Sequence, residues 1–165
     1  MVNGIHRAFH VAALDMTVSN VKVYCIADGV APFCAAALCL FIENGSWQYI
    51  SIDPLMEYDT IHLNPYDDIR DRIHVVKSKT EDYLIDNSHH GLSIVVACHS
   101  HAPCQDFWDR VACPKLAIIM PCCGKGKAWS TLDEVPIDEY EDFEVISPKR
   151  KVSIYYRTVS NSIDK

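Results

Sequence analysis

The stretch LSIVVACHS, residues 92 to 100, is apolar at six of its first seven positions. A strand apolar on both sides of its pleat must be buried on both faces, which puts it inside a sheet covered from above and below. Four other β-rich runs accompany it: KVYCIA (22 to 27), WQYISID (47 to 53), IHVVKS (73 to 78) and KLAIIM (115 to 120). Between them lie helical candidates: an apolar segment from 31 to 42, opened by Pro32 and closed by Gly45, one or two turns in TEDYLID, and a short helix in QDFWDRVA. Ile5, Phe9, Ala12, Ala13 and Met16 recur at helical spacing near the start. Strands alternating with helices give a predominantly parallel sheet with helices on both faces. At the other end DFEVIS and KVSIYYRT flank PKRK with no room for a helix, so a C-terminal β-hairpin is expected, with one strand antiparallel to the rest.

A chain of 165 residues supports one domain, spanning 1–165, with residues 1–20 as an N-terminal helix packed on it. The net charge of −7 provides no overall basic field toward nucleic acid or anionic lipid, so a polyanion would need a local patch. The apolar run from 30 to 42 falls short of the roughly 20 residues that span a bilayer. The first residues carry His and Asp through their apolar part, so no secretory signal is expected. Eight cysteines then suggest a reducing, cytoplasmic setting, with thiols buried, metal-bound or reactive.

Five β/α units closed by a hairpin resemble the Rossmann-like fold of S-adenosylmethionine-dependent methyltransferases, over roughly residues 20 to 158. In such sheets the ligand lies outside the carboxyl ends of the strands, where strand order reverses. The resemblance implies S-adenosylmethionine as cofactor, with Asp28, Gly29 and Ala31 in the first turn, Asp53 and Pro54 on the ribose side, Glu81 and Asp82 on the adenine side, and Cys98 beside them. The first turn keeps the acid and one glycine of the methyltransferase pattern but has Val30 and Pro32 where small residues are usual. It looks somewhat more like the Ala-Pro turn of ribose-methylating cap enzymes, although their Lys-Asp-Lys-Glu set cannot be completed here. Read from residues alone, Asp28 and Asp53 can equally cap a helix or a turn.

ACHSHAPCQDFW followed by IIMPCCGKG resembles the branch that methylates the 2′-oxygen of tRNA ribose, which implies that the acceptor is RNA. Four readings of Cys98, His99, His101 and Cys104 stand side by side: buried thiols with histidines capping the sheet, His99 or His101 facing substrate as base or orienting group, a zinc site completed by Cys104 or Cys122, and a cysteine nucleophile. No metal is expected, since the spacing is not that of a standard finger. Lys125, Lys127 and Trp129 could hold phosphate and stack a base, and Lys149, Arg150 and Lys151 form a second basic group. The acidic run from Asp133 to Glu144 opposes a broad nucleic-acid face. Two alternatives to the methyltransferase remain: a non-catalytic Rossmann-like assembly module, forming an oligomer or joining a partner subunit, and a zinc hydrolase.

Overall fold

A computed structural model describes residues 1–42, 44–57, 69–88, 90–121, 131–145 and 149–158. Among the described residues the chain is an α/β protein built on a seven-stranded, mostly parallel mixed sheet with three α-helices. In chain order the elements are α1 (Val2–Val11), β1 (Val21–Ile26), α2 (Phe33–Phe41), β2 (Gln48–Ile52), β3 (Ile73–Val76), β4 (Leu92–Ser100), α3 (Cys104–Arg110), β5 (Lys115–Pro121), β6 (Asp138–Glu141) and β7 (Lys151–Arg157). The strand order is β3-β2-β1-β4-β5-β7-β6. β1 to β5 run parallel, and β7 is antiparallel to both β5 and β6.

β4 takes the central position that its composition requires. Its residues alternate between two hydrophobic clusters, Ile94 and Val96 in one, Val95 and Ala97 in the other. Ile5, Ala8 and Phe9 of α1 and Ala35, Leu38 and Cys39 of α2 join the first cluster. Cys104, Phe107 and Trp108 of α3 join the second. Among the described residues no helix is long and apolar enough to cross a membrane.

Three segments depart from their sequence reading. The strand that pairs with β7 is DEYE, at 138 to 141; of DFEVIS, residues 142 to 145 form a turn and residues 146 and 147 lie outside the described residues, and the acidic run is therefore largely engaged within the fold. Glu139 pairs with Lys151, Glu141 with Arg150, Asp138 with Arg7 of α1 and Glu134 with Arg157, while Glu144 accepts from Asn3 at 2.8 Å. Each exposed pair contributes little on its own, but together they set strand register and dock α1. TEDYLID forms a turn and irregular chain instead of a helix. There Arg110 of α3 donates to the carbonyls of Thr80 and Tyr83, satisfying backbone groups that a helix would have paired internally. Finally, α1 ends at Val11, short of Met16, and Ala13 just beyond it has a φ of 52°.

Lys115, at the start of β5, is 1% exposed and donates to the carbonyls of Trp108 and Val111, so it caps the carboxyl end of α3 from inside the protein. Burial, reinforced by Arg157, pushes its ammonium down to about 8. A lysine depressed in the folded state contributes stability that is fully present above its unfolded pKa of about 10.4 and lost as pH falls through about 8. Urea denaturation should therefore show the wild type gaining stability relative to Lys115→Met as pH rises between those two values, whereas a difference that does not change with pH would show that Lys115 does not titrate there.

Candidate functional site at the strand ends

Strand order reverses between β1 and β4, and the backbone is unusual on both sides of that point. Ala27, just after β1, has a φ of 53°, and His99, in a bulge near the end of β4, has a φ of 52°. Non-glycine residues in this region are held there by their surroundings, and they cluster at sites of function. Ala27 lines two cavities, of about 390 and 300 Å³.

The larger cavity lies against α2 and is lined by Cys25, Asp28, Phe33, Cys34 and Cys98, with Met1 of the N-terminus. Asp28 is committed inside the fold. Its carboxylate accepts from the amides of Cys34 (2.8 Å) and Ala35 (3.1 Å) and from the Ser51 hydroxyl (2.7 Å). Pro32 stands at the N-cap of α2 and has no side-chain acceptor, so Asp28 caps the helix from four residues upstream. Burial raises the Asp28 carboxyl above its usual range against these hydrogen bonds, and the charge of Asp53 adds to the rise.

The smaller cavity lies beyond β2 and β3. Asp53, Pro54, Leu55, Lys79, Glu81 and His101 line it. Asp53 is 7% exposed and accepts from the amides of Leu55 (2.7 Å) and Gly29 (3.0 Å). Its second bond locks the first turn onto the second strand, and Gly29, at a φ of 94°, supplies the left-handed backbone that the bond requires. A carboxylate offers about four acceptor positions, so two remain on Asp53 for a ligand. Among the described residues neither Asp28 nor Asp53 has an ion-pair partner. The strand ends therefore carry negative charge suited to hydroxyl donors or a cationic group.

The structure distributes the sequence candidates unevenly. Asp53, Pro54, Glu81 and His101 meet at one cavity, and Asp28 and Cys98 at the other. Gly29, Ala31, Asp82 and His99 line neither. The Gly29 amide is bonded to Asp53. Lys125, Lys127, Trp129, Cys122 and Cys123 lie outside the described residues. In the second basic group, Arg150 and Lys151 are paired with acids of β6. Ala27, Leu55, Lys79 and Thr80 were missed. Their signal was position alone, since each stands just past a strand end.

Chain reversal at the end of β4 separates the Cys/His cluster. Cys98 packs with the first hydrophobic cluster and Cys104 lies buried in the second. Ser100 Oγ accepts from the Ala102 amide at 3.0 Å and closes the corner that carries His101 into its cavity. Burial, foremost, raises the thiols of Cys98 and Cys104 to about 11, so both stay protonated at neutral pH, unlike an activated nucleophile. Among the described residues no three ligand-type side chains converge on a metal position.

Asp28→Ala removes the acceptor of two amides at the start of α2 and leaves the buried Ser51 hydroxyl without its acceptor. A loss of about 2 kcal/mol in urea denaturation is expected, and a change within error would show that the cap contributes nothing. No protein-family model and no curated protein sequence matches the chain.

Proposed function

We propose that this chain is an S-adenosylmethionine-dependent methyltransferase of Rossmann-like fold, with helices on both sheet faces and a closing antiparallel hairpin, acting in the cytoplasm on RNA. The observation that carries the reading is the 300 Å³ cavity at the point of strand reversal, where Asp53 has acceptor capacity to spare and Glu81 and His101 share the lining. Five parallel strands followed by an antiparallel β7 support the same reading, because that is the layout the sequence resemblance implies. Pockets of this size are at the lower end for small-molecule sites and suit a nucleoside.

The cofactor, when bound, supplies an electrophilic methyl group on a positively charged sulfur. The chain's own residues bind and orient. Asp53 would accept hydrogen bonds from the ribose hydroxyls, and Glu81, on the same lining, would read the base edge. The unpaired carboxylates of Asp53 and Asp28 favour the positive charge. His101 stands on the same cavity and can take the proton that an RNA hydroxyl loses on methylation. Lys79 lines the cavity, and acceptor binding beyond it rests on Lys125, Lys127 and Trp129. Titration calorimetry with S-adenosylmethionine and its demethylated product tests the proposal: binding is expected, weakened at least tenfold in Asp53→Ala. No binding at millimolar ligand would end it.

One observation favours the assembly module as a second reading. Phe33, Leu40 and Phe41 of α2 are 56, 47 and 68% exposed and, with Ala37, form one stripe of a helix without a charged residue. Light scattering and thermal melts separate the two. An oligomer whose melting temperature ignores the cofactor supports the module, since a ligand bound only to the folded state raises that temperature.

A further inference from the structure

The larger cavity holds a chemistry that the proposed reaction does not use and that needs no cofactor. Three of its lining residues are cysteines, Cys25 from β1, Cys34 from the first turn of α2 and Cys98 from β4. Cys25 is 1% exposed, whereas Cys34 and Cys98 are half-buried. Among the described residues every cysteine is a free thiol.

Backbone geometry excludes one of the three pairs. Cys25 lies level with Val96 on the neighbouring parallel strand, so Cys98 stands two residues further along. Strand spacing and rise then put the Cα atoms of Cys25 and Cys98 about 8 Å apart, beyond the roughly 7 Å that a disulfide can span without backbone movement. Cys34 lies over Cys25 instead. Asp28, three residues after Cys25, holds the Cys34 amide at 2.8 Å and fixes the first turn of α2 above the end of β1. The neighbouring Cys34 thiol, together with burial, holds Cys25 well above its ordinary range.

We propose that Cys25 and Cys34 form a reversible dithiol–disulfide site, with Cys34 as the entry thiol and a small soluble disulfide as the oxidant. The half-buried sulfur is the one that an external reagent meets. Cys34 loses its proton to solvent and attacks one sulfur of the reagent, whose S–S bond breaks. The first thiolate leaves and takes a proton, and a mixed disulfide remains on Cys34. Cys25 then attacks the Cys34 sulfur and its proton passes to the second departing thiolate. In all, two electrons and two protons move from the chain to the reagent, which leaves as two thiols. The new bond ties α2 to β1 across the cavity, directly beside Asp28.

The reduced full-length chain, incubated with oxidised glutathione and acid-quenched, tests this by intact mass and peptide mapping. The wild type should finish two hydrogens lighter, with Cys25 and Cys34 in one cross-linked peptide pair. Cys25→Ser should stall with glutathione on Cys34, and Cys98→Ser should cross-link as the wild type does. Three outcomes overturn the proposal: a wild-type chain that keeps glutathione on Cys34 with no internal cross-link, a cross-link from Cys34 to Cys98, or a Cys34 that reacts no faster than the half-buried Cys113. If Cys25→Ser fails to fold, the wild-type peptide map decides alone.

Discussion

Burial of β4 on both faces is the constraint on which the rest of the architecture depends. A strand with Val95 and Ala97 on one side and Ile94 and Val96 on the other cannot tolerate water on either, so both sides must be covered before any function is considered. With β1 and β5 beside it, the chain's first half runs outward through β1, β2 and β3 and its second half through β5, β7 and β6. The crevice between those halves is a by-product of that division. Its chemistry comes from whatever the ends of β1, β2 and β4 carry.

Those ends carry carboxylates, and the fold uses each of them twice. Asp28 satisfies the start of α2 where Pro32 cannot, and Asp53 pins the first turn to the second strand. Neither role excludes a ligand, because a carboxylate with two backbone partners still has acceptor positions open. The turn held this way is fixed before anything binds, which lowers the ordering cost on that side of the site. The strained backbone at Ala27 and His99 belongs to the same arrangement, since it aims strand ends that would otherwise continue straight out of the sheet.

The parts of the fold legible in the sequence were those fixed by local composition. β4 coincides with its apolar run, and β1, β2, β3, β5 and β7 fall within a few residues of theirs, because β-branched residues at period two or in unbroken runs have few other homes. The misread segments depend on distant partners. DEYE has little strand propensity, and it pairs because Lys151 and Arg150 face its acids across the sheet. TEDYLID has helical composition, but Arg110 supplies its carbonyl partners from another element. At the site, Asp53 and Glu81 were legible as acids past strand ends. The grouping of His101 with them was not, because it depends on a bulge at His99 that strand periodicity does not announce.

The Arg110 contact gives the molecule an uneven resistance to opening. Residues 80 to 88 cover one side of the sheet with irregular chain, held chiefly by the Arg110 guanidinium, the packing of Tyr83 and Ile85, and contacts of Asp86 and Asn87. A segment tied down by side chains, with few backbone bonds of its own, detaches at a lower free energy than the strands beneath it. Glu81 lies at the start of that segment, so one wall of the smaller cavity belongs to a less stable cooperative unit while Asp53 belongs to a more stable one. A ligand spanning both would join them, and its affinity would include the work of holding the weaker wall closed.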